Sequence, residues 1–386
     1  MKKTSNTALK KHLHISLLCC VLLVITLLIT ACNEYVETPL PEDITSEHQF
    51  SIEPAPEYPP ESVSIPKLLA PQHNTLCVSS EGPSLAIMLD GTLWVWEDNT
   101  YSQLDTGSVP VQVGIDADWV SVASGWLFTI ALKDDGTLWT WEWEYGEFAE
   151  KAEPSYLKQL YSNPVQVGTS ANWASIVASQ WHIVAIKTDG TLWAWGLNCD
   201  GQLGNGDIAE VGLRHILENR ILEPIQIGTD TDWARVSANR SGTMALKTDG
   251  TLWAWGRVAS WFGDGRAWSR YTPPQTTPLQ IGTDTDWVAA SAGNANTFAL
   301  KSDGSLWAWG NNPRDWLGVD SLDEIIVTPM QIGTDTDWIN AATGFNRAAL
   351  RADGSLWSWD LERDENGYPA NGVRLIMIIA PVGEDL

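Results

Sequence analysis

Short apolar segments with an alternating pattern, separated by polar turns, recur over most of the chain. In Leu306-Trp307-Ala308-Trp309, the side chains at 306 and 308 fall on one face and the two Trp side chains on the other. A period of two is typical of β-strands and not of helices. The preceding pair Asp303-Gly304 indicates a tight hairpin, because Gly adopts the positive φ that such a turn needs. The pattern predicts an all-β chain.

The same hairpin sequence occurs six times, with starts 45 to 60 residues apart. The six starts are Asp90, Asp135, Asp189, Asp249, Asp303 and Asp353. A second segment, such as Pro278-Leu279-Gln280-Ile281-Gly282, precedes each hairpin from the second onward. Its Pro predicts an outer strand, where a missing N–H does no harm. Three or four strands per unit at this period predict the blades of a β-propeller.

The third unit carries a family resemblance. From 185 to 206 it reads AIKTDGTLWAWGLNCDGQLGNG, which resembles the repeat of the regulator of chromosome condensation family. The resemblance covers about residues 66 to 380 and implies a propeller. Members of that family typically have seven blades, whereas this chain has six hairpins, so we expect six blades and leave a degenerate seventh open.

Closure of the ring has two candidate strands. Residues 66–69, Pro66-Lys67-Leu68-Leu69, stand before a strand in the same way as the outer segments do. We expect them to supply the outer strand of the last blade, so that N- and C-terminal strands pair. The apolar segment at 375–379 competes for that place.

The N-terminal region predicts export and anchoring. Lysines precede an apolar run of residues 15–29, which is too short for a stable membrane span and ends in Ile29-Thr30-Ala31-Cys32. This end resembles the lipobox of bacterial lipoproteins and implies lipidation of Cys32; an ordinary secretory signal is the alternative. We predict a signal peptide at 1–31, an acidic Pro-rich tether at 32–65 and the propeller at 66–386. The protein is then anchored to the cell envelope, at the outer membrane of a Gram-negative cell or otherwise at the cell surface.

Charge narrows the choice of partners. The chain has 48 acidic and 23 basic residues, a formal net charge of -25. Nucleic acid is excluded as a partner, because binding phosphates requires clustered cations. The nuclear GTPase of the resembling family is also excluded, since an exported protein never meets it.

Most of the 23 Trp residues follow the repeat. Twelve form the hairpin pairs and five follow an acidic turn, so we assign them to packing between blades and not to a ligand surface. The Asp-x-Asp pairs of these turns offer too few ligands for calcium, and Asx-turn geometry is the favoured interpretation. Outside the signal peptide and Cys32, Cys77 and Cys199 remain; an exported location permits a disulfide, but two buried thiols are more common.

Variable side chains at one set of loops form a candidate binding face. Variable aromatic and cationic side chains on turns of constant structure are typical of recognition surfaces. The alternative is that these loops are solvated and bind no partner. The candidates are Trp126, Trp181, His182, Arg240, Asn294, Asn296, Phe345 and Arg347.

The sequence favours binding over catalysis. It contains no nucleophile with a nearby base, phosphate loop or metalloprotease motif. We therefore predict a non-enzymatic binding or scaffold protein without cofactor or metal, recognising a protein or a glycan. The alternative is a quinoprotein-like or glycan-active propeller enzyme with acids in its central channel.

Overall fold

Six four-stranded antiparallel sheets contain all strands of the described chain, each built from four consecutive strands. The computed structural model describes residues 76–77, 84–96, 111–125, 128–142, 164–209, 220–257, 262–266, 272–293, 295–313, 317–321, 323–343, 347–363 and 369–379. The predicted signal peptide and tether lie outside these residues. The six sheets are the blades of a propeller, as the hairpin count predicts, and no seventh blade occurs among the described residues.

The strands of the first three blades are as follows. Blade 1 contains β1 (Leu76–Cys77), β2 (Ser84–Ile87), β3 (Leu93–Trp96) and β4 (Val111–Gln112). Blade 2 contains β5 (Trp119–Ser124), β6 (Phe128–Lys133), β7 (Leu138–Glu142) and β8 (Val165–Gln166). Blade 3 contains β9 (Trp173–Ala178), β10 (His182–Lys187), β11 (Leu192–Gly196) and β12 (Ile221–Gln226).

The strands of the last three blades follow the same order. Blade 4 contains β13 (Trp233–Asn239), β14 (Gly242–Lys247), β15 (Leu252–Gly256) and β16 (Gln275–Gln280). Blade 5 contains β17 (Trp287–Ala292), β18 (Asn296–Lys301), β19 (Leu306–Asn311) and β20 (Ile325–Gln331). Blade 6 contains β21 (Trp338–Ala342), β22 (Ala348–Arg351), β23 (Leu356–Arg363) and β24 (Pro369–Ile379).

The outer strand of blade 6 comes from the C-terminal region, which corrects the predicted pairing of N- and C-terminal strands. β24 pairs with β23 from Leu356↔Ile379 to Arg363↔Pro369. Every blade of the described chain thus closes with its own fourth strand, because the apolar segment next along the chain reaches the free edge first. Residues 66–69 lie outside the described residues.

Successive blades pack through their first two strands. β9 contacts β5 and β13, and β17 contacts β13 and β21, so the first strands of neighbouring blades lie next to each other. The buried core between the sheets is rich in Trp, with Trp141, Trp255, Trp287, Trp309 and Trp338 among its largest side chains. The repeat Trp residues that are buried therefore pack the blades.

The Asp-Gly turns of blades 1 to 5 each join one blade to the next. In blade 3, Asp189 Oδ1 accepts hydrogen bonds from the Thr191 backbone N–H (3.0 Å) and hydroxyl (2.6 Å). Thr191 Oγ1 in turn accepts the indole N–H of Trp193 at 2.9 Å. The Gly190 carbonyl accepts the backbone N–H of Trp233, the first residue of blade 4, at 3.1 Å. The turn thus aligns the first strand of the following blade.

Contacts along the chain separate residues 1–63 from residues 64–386, and all described residues belong to the second unit. Among them, no helix is long and apolar enough to span a membrane, and Cys199 has a free thiol.

Candidate functional site

The antiparallel order gives each blade two different ends. The loop end carries the connections between first and second strands and between third and fourth strands. The hairpin end carries the Asp-Gly turns and the acidic turns that lead into the next blade. The predicted candidate residues that the structure describes, Trp181, His182, Arg240, Asn296 and Arg347, belong to the loop end.

The predicted face is partly accessible. Arg240 is exposed, and Trp181 and Arg347 are half-buried. Burial lowers the pKa of Arg347. Trp126, Asn294 and Phe345 lie outside the described residues.

Two members of the predicted face are buried, and their assignment to an accessible surface is wrong. His182 is 0% exposed and Asn296 is 8% exposed. Both begin a second strand, and the His182 side chain contacts Thr243 of the next blade instead of following the loop outward. The sequence placed them in a loop, but the strand begins at these very residues.

The buried His182 is a polar link between two blades. Thr243 Oγ1 donates to the Gln202 carbonyl at 2.9 Å, so its single proton is used there. His182 Nε2 therefore carries a proton and donates it to Thr243 Oγ1 at 2.8 Å. His182 Nδ1 then accepts from the Ser179 hydroxyl at 2.7 Å. A neutral imidazole satisfies every partner, and this role is structural.

We expect His182 to make the stability of the folded protein depend on pH. Burial lowers the pKa of His182 from 6.5 to about 3, so between these values the unfolded chain binds a proton that the folded chain does not. Stability is then lost as the pH falls below 6.5, by about 1.4 kcal/mol per pH unit. We expect His182→Asn to flatten the pH dependence of the unfolding midpoint between pH 4.5 and 6.5.

Blade 5 has Asn296 at the equivalent position, so the fold accommodates this substitution. Hydrogen bonds lower the pKa of the Asp carboxyls in the hairpins below their ordinary value of 3.8. These groups therefore do not change protonation between pH 4.5 and 6.5. Equal slopes for both proteins would show that His182 is not the titrating group.

A repeated cation, which sequence reasoning missed, lies at the hairpin end. Lys247 Nζ lies 4.9 Å from the ring centroids of both Trp233 and Trp253. It also contacts Asp230 Oδ2 at 2.6 Å and Asp232 Oδ1 at 3.1 Å. Burial opposes the charged form, but the two carboxylates outweigh it and raise the pKa of Lys247.

The Asp-x-Asp pairs therefore hold this cation, a role that was not predicted from the sequence, and the Asx-turn geometry stays a prediction. Equivalent cations lie between two Trp rings in blades 2, 3, 5 and 6, at Lys133, Lys187, Lys301 and Arg351. In blade 3 the carboxylates are replaced, and Lys187 Nζ donates to Ser170 Oγ at 3.2 Å. A cation two residues before the Asp-Gly pair of blades 2 to 6 was the available signal; blade 1 has Met88 there. No group of three or more metal-binding side chains occurs in the described parts of the chain.

Removing one cation should cost measurable stability. We expect Lys247→Met to lower the free energy of unfolding by about 1–2 kcal/mol, because two ring contacts are lost while the half-exposed carboxylates contribute little. Lys247→Arg is the matched control, since Arg351 occupies this place in blade 6. Denaturant midpoints measure both; an equal loss in both variants would contradict the cation–ring interpretation.

Comparison with known proteins agrees with this architecture. Profiles of the regulator of chromosome condensation (RCC1) repeat match residues 119–141, 173–202 and 287–314, and residues 189–246. The ultraviolet-B receptor UVR8 of Arabidopsis thaliana is 28% identical over 252 residues, covering 62% of this chain and 53% of the receptor. The chain thus spans about half the length of this curated relative.

Solved structures show the same fold. Prp20p of Saccharomyces cerevisiae superposes with a TM-score of 0.53 and 17% identity, covering 68% of this chain and 65% of Prp20p. Human WBSCR16 superposes with a TM-score of 0.56 and 18% identity, covering 75% and 77%. The chain is an all-β, six-bladed propeller, and four of its segments match profiles of the regulator of chromosome condensation repeat.

Proposed function

We propose that this protein is a non-catalytic binding or scaffold protein that presents the loop end of its propeller to a partner. The observation that carries the proposal is the contrast between the two ends. At the hairpin end the same hydrogen bonds recur from blade to blade, as at Asp189 and Asp249. In the sequence, the seventh residue after the first Trp of blades 2 to 6 is Trp126, Gln180, Arg240, Asn294 or Phe345, and the two that the structure describes, Gln180 and Arg240, lie at the loop end. Variable side chains on a constant frame suit recognition.

A protein partner is the first candidate and a glycan the second. The reported structure of Prp20p concerns its binding to Gsp1p and histones, so one propeller of this fold binds proteins. Aromatic and Arg side chains are the groups most enriched at protein interfaces. Trp181 and Arg240 supply both at the loop end. Aromatic rings also stack on sugars, which keeps a glycan among the candidates.

The binding test compares the two ends of the propeller. Purified residues 33–386 are used to capture partners from envelope extract, alongside the double variant Trp181→Ser with Arg240→Ser. The matched control is Leu89→Ser with Ile115→Ser at the hairpin end, where these side chains are 103% and 93% exposed. We expect the loop-end variant to lose a partner that the control variant retains.

The enzymatic alternative has its own outcome. Capture of no protein or glycan, together with turnover in a glycosidase or dehydrogenase screen, would overturn the binding proposal. Thermal unfolding of each variant checks that loss of capture is not loss of fold.

We place the protein at the cell envelope, anchored through lipid on Cys32. The support is the apolar run of residues 15–29 followed directly by Thr30-Ala31-Cys32. Acyl chains bury many methylenes, so two or more chains hold a protein firmly on a membrane. We expect Cys32→Ala to move the protein from the membrane pellet to the soluble fraction after cell lysis. Retention in the pellet after an alkaline wash would show that Cys32 is not the anchor.

A further inference from the structure

The outer strand of blade 6 differs from the other outer strands in length and pairing. β24 has 11 residues, whereas the outer strands of blades 1 to 5 have between 2 and 7. It is the terminal strand of its sheet, and no other strand of the described chain pairs with its outer edge. An edge of this length presents a long row of backbone N–H and C=O groups to any extended chain.

The other outer strands carry a Pro that blunts this edge. Pro224, Pro278 and Pro329 lie within β12, β16 and β20, and Pro110 and Pro164 directly precede β4 and β8. Pro in a sheet is confined to edges and bulges because it cannot donate a hydrogen bond to a neighbouring strand. In blades 3, 4 and 5 the register also shifts next to this Pro.

Blade 6 lacks this protection at the equivalent place. Met330, which follows Pro329, is opposite Ala308, and Ile376 is opposite Ser358. Ala308 and Ser358 are equivalent, because each lies two residues after the Leu that starts the third strand of its blade. Their partners, Met330 and Ile376, are therefore equivalent as well. The residue before Ile376 is Leu375, so Leu375 occupies the place that Pro329 has in blade 5. Leu375 pairs with Trp359, and the register continues without a shift to Leu361↔Val373.

We propose that the outer edge of β24 pairs with β24 of a second copy of this chain. Residues 373–379 read VRLIMII, with one charge and no Pro or Gly, a composition that favours strand pairing. β24 has its own Pro369 only at its start, whereas the five other outer strands have a Pro within or directly before the segment that pairs with the third strand. Residues 373–379 are therefore the longest Pro-free outer edge among the described strands, and a second copy offers an equal edge. An antiparallel pair around a two-fold axis uses the same patch twice.

Charge is compatible with this self-pairing. In a register centred on Ile376, Arg374 of one copy lies opposite Ile378 of the other, so no like charges face each other. Within each copy Arg374 is already opposite Asp360 of β23. The contact therefore joins segments with a single charge each, which do not oppose each other, although the chain as a whole has a net charge of -25.

The test co-expresses two differently tagged copies of the full chain and measures how much of the second tag is recovered with the first after detergent solubilisation. We expect recovery with the natural sequence and with Leu375→Val. Leu375→Pro removes the outward N–H and introduces the residue found at this place in blades 3 to 5, so we expect about tenfold less recovery.

A charge-swap pair guards against misfolding of the Pro variant. Two copies of Ile376→Lys, or two of Ile376→Glu, place like charges opposite each other and should not co-purify. One copy of each should restore recovery. The proposal is overturned if natural copies do not co-purify, or if Leu375→Pro copies co-purify as well as Leu375→Val copies.

Discussion

Gly190→Ala is expected to lower the free energy of unfolding by more than about 3 kcal/mol. Gly190 has a φ of +77°, and a Cβ atom there would lie 2.0 Å from the Thr231 carbonyl oxygen of the turn that leads into blade 4. The left-handed conformation alone costs a non-Gly residue roughly 1–2 kcal/mol. The overlap with a backbone atom adds to this, because relief requires blades 3 and 4 to move apart.

A second glycine separates these two causes. Gly228 has a φ of +65°, but no atom lies within 4 Å of the place that its Cβ would take. Gly228→Ala should therefore cost only the conformational penalty, roughly 1–2 kcal/mol. Denaturant unfolding followed by Trp fluorescence measures both. Equal shifts of the midpoint would mean that the approach of the next blade is not what requires Gly190.

Trp255→Ala is expected to cost about 3–5 kcal/mol, as large-to-small substitutions of buried aromatic residues do. Trp255 is 0% exposed, and its indole N–H donates to the Gln202 carbonyl of the blade 3 loop at 2.9 Å. Gly204 of the same loop lies so close to the indole that an added Cβ would be 2.6 Å from Nε1. The ring of blade 4 thus supports a loop of blade 3.

The second readout of this variant is local. Limited proteolysis should cut the loop at 201–206 more readily in Trp255→Ala than in the natural protein, because the loop loses its packing surface. Trp255→Phe keeps most of the ring and loses one hydrogen bond, so about 1–2 kcal/mol is expected. If Trp255→Phe is as unstable as Trp255→Ala, the hydrogen bond and not the packing supports the loop.

Local sequence was a good guide to the blades. A hairpin such as Asp189-Gly190-Thr191 closes through bonds between residues two apart, so its pattern can be read without knowing the fold. Six such hairpins predicted six blades, and the structure confirms them. Assignment of the repeat Trp residues to packing is also confirmed for those that the structure describes as buried.

The candidate site was harder to predict. His182 was grouped with accessible loop residues because its neighbours in sequence are loop residues. Its burial depends on Thr243, 61 residues further along the chain, and on the blade that carries it. Arg240 is exposed, and Trp181 and Arg347 are half-buried. These three residues are the described members of the proposed loop-end face that remain accessible.

By itself, the sequence determined what is local and periodic: the strands, the Asp-Gly turns, the number of blades and the composition of the N-terminal region. Tertiary structure decided how distant segments meet. It placed the Asp-x-Asp pairs on the repeat cation 17 residues later, as for Asp230 and Lys247, and made β24 instead of an N-terminal strand the edge of blade 6. The reason is physical: hydrogen bonds within a turn follow from chain geometry, whereas burial and ion pairing depend on which blade packs alongside.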